Sequence, residues 1–338
     1  MIVRYERAAE LPKEWDSAVH DNIYLTREFL AFMETADSEK KTYYGVYDKS
    51  GKLDTVFETI ERRGYNLAMF TRFNFRIKVT MVYVPLSVTR PGIEYGECLT
   101  EAAEFIRKLP GYKIFLNLPD TELKGYAKGL TCPKCVLKIR WSTFDEYMDA
   151  LRSNYRYRFR KALKKAAPLK IRYLESGDEF TDELYGLYEQ VYNKSRIRVE
   201  KLTKEFFRGD CFKIFVLEEG DKPRGFVQLL ANGDELVFEF VGLDYSTQSK
   251  YDTYLAMLLE IVRYAIDSGF KTVDFGQTAD DTKLKLGSDY IYLYAFLSHR
   301  NRLINAVCKK LAPRLEYRPV TEKFDVFKQE KDKEVTPQ

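Results

Sequence analysis

The stretch FKIFVLEEGDKPRGFVQLLANGDELVFEFVGLDYSTQSKYDTYLAMLLEIVRYAIDSGFKTVDF, residues 212–275, decides the fold of this protein. Its apolar runs and turn residues predict a hairpin, a further strand, a long helix and a last strand, in that order. The predicted elements are strands at Phe212–Leu217, Arg224–Ala231 and Glu235–Val241, a helix at Tyr251–Asp267 that Gly269 stops, and a strand at Lys271–Phe275. Such an order is typical of a mixed sheet with helices packed on it.

The same order of elements occurs earlier in the chain. Predicted strands at Thr42–Tyr47, Leu53–Ile60 and Thr80–Pro85 are followed by a helix at Glu97–Lys108 and a strand at Lys113–Leu118. The repetition indicates an internal duplication. The sequence therefore predicts an α/β (α+β) protein of two similar halves, each a mixed β-sheet flanked by helices. We expect the first half at residues 1–135, the second at 136–328 and a disordered tail at 329–338.

Composition limits the classes of function. The 338 residues include 55 Lys and Arg and 51 Asp and Glu, which gives a net charge of +4. This charge is too small for the whole chain to be a nucleic-acid binder. The only histidines are His20 and His299, and Cys132–Cys135 is a single CxxC, which argues against a zinc site, any other metal and a hydrolase triad. Because no segment predicts a membrane span or a signal peptide, we expect a cytoplasmic protein.

The loop before the long helix has the features of an anion site. The amino end of a helix binds phosphate through free N–H groups, and a strand edge can pair with the amides of an extended ligand. The loop GLDYSTQSK, residues 242–250, joins such a strand to such a helix, and Ser246, Thr247 and Ser249 offer hydroxyls beside the charge of Lys250. An ordinary helix cap is the alternative explanation. The corresponding loop of the first half, residues 86–96, contains Pro91 and acidic Glu94, so we expect no such site there.

A strongly basic helix is predicted at Leu151–Ala166, LRSNYRYRFRKALKKA. Its apolar residues form one stripe at helical spacing, and Arg152, Arg156, Arg160 and Lys164 form a second. Like charges at this spacing destabilise a helix, and an anionic ligand would offset that repulsion. We expect Arg156 and Arg160 to bind such a ligand. The alternative is a solvated face that pairs with the acidic stretch Glu175–Glu183.

The second half resembles the GNAT superfamily, in particular the branch of the Fem-type peptidoglycan bridge-forming ligases. The resemblance rests on the basic helix, on the strand and helix within Phe226–Gly269, and on Val273–Gly276 (VDFG) followed by Lys283 and Gly287. It covers about Phe144–Phe296, whereas the first half is similar only in the order of its elements. The segment Gln248–Thr253, QSKYDT, departs from the family pattern because it lacks the glycines of the usual pyrophosphate loop.

The resemblance implies direct attack of an amine on the carbonyl of an acyl donor. Such a reaction needs a base, an N–H group for the oxyanion and an acid for the leaving group. We expect Glu239 to be the base, because it lies in an apolar strand with Val237 and Val241 on one face; a solvated, merely paired Glu239 is the alternative. Asp274 would position the amine or pair with Lys283. Tyr254, one helical turn from Tyr251, would reach the leaving thiolate.

The sequence thus predicts an N-acyltransferase that uses acetyl-CoA or another acyl-CoA and no metal. The residues expected to hold the donor are Ser246, Thr247, Gln248, Ser249, Lys250 and Tyr251, and Lys283 joins Arg156 and Arg160 as an anion-binding residue. The acceptor would be the amine of a small molecule or of a peptide or cell-wall precursor. Two alternatives are a Fem-type ligase that uses aminoacyl-tRNA and a non-catalytic GNAT-like scaffold. The sequence leaves the oligomeric state open.

Overall fold

The computed structural model describes residues 1–37, 39–86, 89–195, 201–320 and 322–328. Within them the chain forms two compact units. The first contains Met1–Pro133 and Tyr292–Pro319, and the second contains Lys134–Ile291 and the segment from Val320 onward. The tail predicted at residues 329–338 lies outside the described residues.

The first unit begins with elements that precede Pro133. Its helices there are α1 (Trp15–Ala18), α2 (Arg27–Ala36) and α3 (Leu99–Lys108). Its strands there are β1 (Ile2–Tyr5), β2 (Lys41–Tyr47), β3 (Leu53–Asn66), β4 (Arg76–Val82), β5 (Ile93–Tyr95), β6 (Tyr112–Leu118) and β7 (Ala127–Leu130).

The second unit follows, and the chain then returns to the first. The helices of the second unit are α4 (Phe144–Ala150), α5 (Ser153–Ala166), α6 (Asp182–Lys194), α7 (Lys204–Phe207), α8 (Gln248–Tyr251), α9 (Thr253–Asp267) and α10 (Asp280–Leu284). Its strands are β8 (Lys134–Lys138), β9 (Lys170–Tyr173), β10 (Phe212–Glu219), β11 (Lys222–Asn232), β12 (Glu235–Leu243), β13 (Thr272–Asp274) and β14 (Asp289–Ile291). The returning elements of the first unit are β15 (Tyr294–His299) and α11 (Arg302–Leu315).

Each unit contains one mixed sheet. In the described residues, the first sheet has the order β1-β2-β3-β4-β6-β15-β7, with β5 on β3, and the second has the order β14-β8-β13-β12-β11-β10-β9. Each sheet is mixed because it holds one parallel pair, β4 with β6 and β12 with β13, among antiparallel neighbours. The predicted α/β architecture of two mixed sheets with helices is confirmed.

The core of the second unit lies between its sheet and α9. The side chains of Phe215, Leu217, Val227 and Leu229 pack in one cluster with the buried residues of α9. Burial of an aliphatic or aromatic side chain of this size stabilises the fold by about 1.5–3 kcal/mol. The predicted stop at Gly269 is confirmed: Gly269 has φ +76°, and Phe270 N donates to Ala265 O, which closes the helix in a Schellman motif.

Two features differ from the sequence-based expectation. Residues Tyr292–Pro319 belong to the first unit, not to the second, because β15 pairs with β6 and β7. Strand propensity is local, whereas the choice of partner strand is not. The helix predicted at Tyr251–Asp267 is interrupted: Asp252 adopts a left-handed conformation with φ +50°, so that α8 ends before α9 begins.

Candidate functional site

Strands β12 and β13 diverge after a short parallel stretch. They pair only over Glu235–Val237 and Thr272–Asp274, where β13 ends, while β12 continues to Leu243. The chain after β13 still lies beside Phe238 of β12 at Gly276 and then passes through Thr278 and Ala279; all three residues have positive φ. Such a conformation is unfavourable for Thr and Ala and persists only where the surrounding structure imposes it. Beyond Val237, none of the described strands pairs with β12 on the side of β13, and we call that side of residues 239–243 the gap.

A β-bulge lies at Glu239, where this gap opens. Gln228 on β11 pairs with Phe240, and the next residue, Leu229, pairs with Phe238, so Glu239 is an extra residue in β12. A bulge bends its strand and redirects the side chain that it carries. Glu239 is half-buried, and its Oε2 is shielded from solvent.

The bulge corrects the expectation that Glu239 shares one face with Val237 and Val241. Val237 pairs with Leu230 of β11, and Val241 pairs with Val227. Because Leu230 and Val227 are three residues apart, they face opposite sides of the sheet. The strict alternation assumed from the sequence is therefore wrong here, since the inserted residue reverses the side of all residues after it.

Gln228, beside the bulge, was missed in the sequence. Its side chain is 0% exposed, and neither atom of its amide has a hydrogen-bond partner among the described residues. A buried amide without a partner costs about 1–3 kcal/mol, so such a group requires an explanation. The sequence feature that could have revealed Gln228 is its position as the single polar residue in the apolar run FVQLLA, residues 226–231.

Asp274, at the end of β13, is fully buried in an ionic cluster. Its Oδ1 accepts from Gly276 N at 2.8 Å, and its Oδ2 accepts from Lys134 Nζ at 3.1 Å. The same Lys134 Nζ donates to Glu235 at 3.3 Å. Lys134, from β8, is a partner that sequence reasoning did not name for Asp274. Both carboxylate oxygens are therefore engaged in holding the end of β13.

Three of the predicted site residues lie near the Cys135 thiol. Burial raises the pKa of Cys135 to about 12, while neighbouring Lys283 lowers it and Asp280 and Asp274 raise it. Burial also raises the pKa of Tyr254, and nearby Cys135 and Tyr245 add to the effect. Tyr254, Asp274 and Lys283 are thus brought together, with Lys283 Nζ donating to Gln277 O at 2.9 Å. At neutral pH, Tyr254 keeps a proton to donate, and Cys135 remains a thiol, which is a poor nucleophile.

The predicted donor loop is held by contacts among its own side chains. Ser246 Oγ donates to Asp244 Oδ1 at 2.6 Å, and Thr247 Oγ1 donates to Asp244 O at 3.3 Å. Lys250 Nζ donates to Glu219 at 3.0 Å, and the Tyr251 hydroxyl also donates to Glu219. Hydrogen bonds from Tyr251, Lys250 and Arg224 lower the pKa of Glu219 to about 2. This loop is therefore charged and ordered, but its one cation, Lys250, already contacts a carboxylate.

The amino end of α9 is capped by a side chain. Gln248 Oε1 accepts from Tyr254 N at 3.0 Å. On the other side, Lys165 of α5 forms an ion pair with Asp252 at 2.9 Å and donates to Ser249 O at 3.3 Å. A phosphate that used the Tyr254 N–H group would have to displace the neutral Gln248 amide.

The basic helix α5 presents a charged face to solvent. Arg158, Arg160, Lys161 and Lys164 are exposed, and Tyr157 between them is 70% exposed. Arg156 and Arg160 lie near Asp149, at 3.7 and 4.0 Å. The sequence-based alternative of pairing with Glu175–Glu183 differs from this arrangement, since Glu179 is bound by Arg172 at 2.7 Å.

A cleft of about 860 Å³ opens elsewhere in the second unit. It lies between β8, α4 and residues 324–328, with Trp141 and Phe327 in its wall. Its lining residues include none of the predicted site residues. In the described ranges, no group of three or more His, Cys, Asp and Glu residues is placed to hold a metal ion. No helix of those ranges is long and apolar enough to cross a membrane.

Comparison with known proteins places this site in a recognised domain. The sequence profile of the acetyltransferase (GNAT) domain matches residues 150–284, which include β12, α9 and β13. No curated protein matches the chain in sequence. The second unit thus carries a GNAT-type acetyltransferase domain, and acyl transfer is the class of reaction that this domain supports.

Solved structures show how far the fold is shared. FemX superimposes with a TM-score of 0.56 at 11% identity, covering 88% of this chain and 98% of that chain. The C-terminal domain of a putative lysylphosphatidylglycerol synthetase from Agrobacterium fabrum gives 0.53 at 10% identity, covering 87% and 94%. N-myristoyltransferase of Saccharomyces cerevisiae with bound myristoyl-CoA gives 0.51 at 12% identity, covering 88% and 82%. The chain therefore has a GNAT-like fold that these proteins share over most of its length.

Proposed function

We propose that this protein is an N-acyltransferase that transfers an acyl group from acyl-CoA to an amine at the gap between β12 and β13. The observation that carries the proposal is the divergence of these strands after Val237 with a bulge at Glu239. The extended arm of coenzyme A can pair with this side of β12 as an added strand does. N-Myristoyltransferase, which shares the fold, binds myristoyl-CoA, and this supports a CoA donor.

The chemistry follows from the groups at the gap. The amine nitrogen attacks the thioester carbonyl, the C–N bond forms and the C–S bond breaks. Glu239, whose Oε2 is shielded from solvent, accepts the amine proton directly or through water. Tyr254, kept protonated by burial, donates a proton to the leaving thiolate. An N–H group of the bulged strand stabilises the oxyanion.

The phosphates of the donor belong at the amino end of α9. There the N–H groups and the helix dipole favour an anion. In this proposal the phosphates are held by the loop residues just before that helix end, which are Ser246, Thr247, Gln248, Ser249, Lys250 and Tyr251. Binding requires Gln248 to release Tyr254 N. Asp274 holds the end of β13, and Lys283 beside it provides a positive charge near the reacting carbonyl. In this proposal the first unit binds no donor, and the reaction takes place in the cytoplasm, on a small-molecule or peptide amine such as a cell-wall precursor.

A second candidate is supported by the exposed basic face of α5. Four exposed cations with the exposed ring of Tyr157 form a surface suited to RNA, where phosphates meet charge and a base meets an aromatic ring. In this case the donor is an aminoacyl-tRNA and the enzyme is a Fem-type ligase. The same gap and the same base would serve that reaction.

A donor screen separates the candidates. Thermal shifts are measured with acetyl-CoA, myristoyl-CoA, uncharged tRNA and aminoacyl-tRNA, because a ligand selective for the folded state raises its apparent stability. The proposal expects stabilisation by an acyl-CoA and release of CoA thiol with an amine acceptor. Stabilisation by aminoacyl-tRNA that is lost with rising salt identifies the ligase. If no donor of either class stabilises the protein, both enzymes are excluded and a binding scaffold remains.

The basic face provides a matched control for this screen. Arg158→Glu combined with Lys161→Glu reverses two exposed charges of α5 and leaves the gap untouched. This variant should lose tRNA binding if the donor is carried by tRNA, and should keep its response to acyl-CoA otherwise. Asp178→Asn with Glu183→Gln also changes two charges of the same unit, but on its acidic surface, away from the gap and from the basic face of α5. This variant controls for a general effect of altered charge.

A further inference from the structure

Helix α11 lies on the surface of the first unit and contacts it through one side only. Cys308 is buried and Ala312 partly buried in the cluster that includes Val79, Ile114 and Leu297 of the sheet. Asn305 fixes the same side, since its Oδ1 accepts from His299 N at 3.0 Å and its Nδ2 donates to Gly125 O at 2.8 Å. The opposite side of the helix faces solvent.

This solvent side carries a row of apolar residues. Leu303 is 80% exposed, Val307 is 55% exposed and Leu311 is 39% exposed. Because they are four residues apart, they form a single stripe along the helix, and Ile304 borders it. Single exposed apolar residues are ordinary, but a contiguous row of them marks an interaction surface.

The same helix is strongly basic. Between Arg300 and Leu315 there are five cations, Arg300, Arg302, Lys309, Lys310 and Arg314, and no Asp or Glu. Lys310 and Arg314 flank the apolar stripe at helical spacing. The surface therefore combines exposed apolar side chains with a local excess of positive charge, which the net charge of the whole chain conceals.

A loop of the same unit lies close to the segment that follows α11 and is also apolar and basic. The connection between β3 and β4 carries Phe73, which is 75% exposed, and Phe75, which is 53% exposed, beside exposed Arg72 and Arg76. The loop is tied to the segment after α11 because the rings of Phe70 and Tyr317 are in contact at 5.3 Å. Two separate parts of the sequence thus present aromatic, aliphatic and basic side chains in one region of the first unit.

We infer that this surface, α11 with the β3–β4 loop, docks the first unit on an anionic phospholipid bilayer. A helix with an exposed apolar face and basic flanks lies in the lipid interface, with its apolar side chains among the acyl chains and its cations at anionic headgroups. A second copy of the chain fits less well, because the contact would bring two groups of cations together. RNA would use the charges but leave the apolar stripe in water. The inference is independent of the acyl donor.

The test is co-sedimentation of the full chain with vesicles. We expect binding to vesicles of phosphatidylcholine with 30% phosphatidylglycerol at least about tenfold tighter than binding to pure phosphatidylcholine, weakening as salt screens the charges. Leu303→Gln with Val307→Gln and Leu311→Gln should reduce that binding about tenfold or more without loss of thermal stability, since these side chains are exposed. Lys310→Gln with Arg314→Gln should reduce it roughly fivefold per charge for anionic vesicles.

A matched control removes three exposed apolar side chains from the second unit. Ile171→Gln with Ile291→Gln and Val320→Gln, all exposed in that unit, should bind vesicles as the unchanged protein does. The inference is overturned if the unchanged protein binds neither vesicle, if it binds both equally, or if the α11 variant binds normally. It is also overturned if light scattering shows a dimer that the α11 variant abolishes, which would assign the stripe to a second copy. Acyl-CoA stabilisation of the α11 variant, measured in parallel, keeps this result separate from the proposed transferase activity.

Discussion

The two units place different groups at the amino ends of corresponding helices. In the first unit, Glu97 N and Cys98 N, just before α3, donate to the Asp54 carboxylate at 3.1 and 2.8 Å. In the second unit, Tyr254 N, in the first turn of α9, donates to the neutral Gln248 amide at 3.0 Å. The backbone N–H groups are thus bound by a carboxylate in the first unit and by a neutral amide in the second, where the Asp252 carboxylate at the N-cap of α9 is paired with Lys165 instead.

This difference supports a donor site in the second unit alone. Gly96 allows the close approach of Asp54, since a side chain there would place its Cβ 2.4 Å from Asp54 Oδ1. Burial opposes ionisation of Asp54, but hydrogen bonds from Cys98, Thr55 and Glu97 outweigh it and lower its pKa. A phosphate arriving at α3 would compete with this carboxylate for the N–H groups. At α9 it would displace a neutral amide, beside an Asp252 carboxylate whose charge Lys165 balances.

A second comparison concerns the strand next to each parallel pair. Tyr43, the third residue of β2, pairs with Glu58, and Ile214, the third residue of β10, pairs with Gln228. Glu58 is 1% exposed and Gln228 is 0% exposed, and Glu58 Oε2, like the Gln228 amide, has no hydrogen-bond partner in the described residues. Both sheets thus have a buried polar side chain opposite the third residue of the neighbouring strand, ionisable in the first sheet and neutral in the second.

The largest expected effect is a loss of turnover when a carboxylate is removed from the second unit but not when one is removed from the first. Glu239→Gln should lower turnover of an acyl-CoA and amine pair about 100-fold or more, because the base is lost, while donor-induced stabilisation persists. Glu58→Gln, in the first unit, removes a buried carboxyl and should leave turnover within about twofold. Steady-state CoA-thiol release measures both. Equal activity of Glu239→Gln and the unchanged protein would remove Glu239 from the mechanism.

The next largest effect is a dependence of the free energy of unfolding on pH, caused by Glu58 in the first unit. Burial raises the pKa of Glu58 to about 8, so the folded state holds a proton that the unfolded state has released above about pH 4.5. The free energy of unfolding should therefore fall by about 1.4 kcal/mol per pH unit from about pH 5 to 8 through this group, and level off above that. Glu58→Gln should remove this slope in denaturant titrations, and exposed Glu101→Gln should not. An unchanged slope in Glu58→Gln would show that another group causes it.

A smaller effect is expected at the matching position of the second unit. Gln228→Leu removes a buried amide without a partner and should raise the free energy of unfolding by about 1 kcal/mol. Gln228→Glu should make the second unit resemble the first, with lower stability and a new loss of stability as pH rises. Chemical denaturation at pH 6 and pH 8 measures both. If Gln228→Leu is strongly destabilised, the amide has a role in the fold that the buried environment does not reveal.

The smallest expected effect is a change in acyl-CoA affinity when the residues that cap the amino ends of α9 and α3 are replaced. Gln248→Ala should free Tyr254 N and strengthen acyl-CoA binding severalfold, because the competing amide is gone. Asp54→Ala should cost about 1–2 kcal/mol of stability through two lost backbone contacts and create no CoA site in the first unit. Isothermal titration with acetyl-CoA compares the two variants. Weaker binding by Gln248→Ala would instead make Gln248 a ligand contact.

Much of the fold was predictable because it depends on local patterns. The runs FKIFVL and ELVFEFV, residues 212–217 and 235–241, lie in β10 and β12, and Gly269 ends α9 as its left-handed conformation requires. The arrangement of the candidate site was harder to predict from the sequence. Asp274 and Lys283 were named from the resemblance and Tyr254 from its helical spacing, and all three lie near Cys135. The pairing of Asp274 with Lys134, however, joins residues far apart in the chain.

The sequence by itself determined the order of strands and helices, since the apolar period and turn residues act over a few neighbours. Only the tertiary structure decided that β15 completes the first sheet, that β12 leaves β13 after three pairs and that Glu239 forms a bulge. Those features depend on which backbone groups meet across distant segments. A single inserted residue in a strand changes the face of every side chain beyond it, and no local pattern encodes that register.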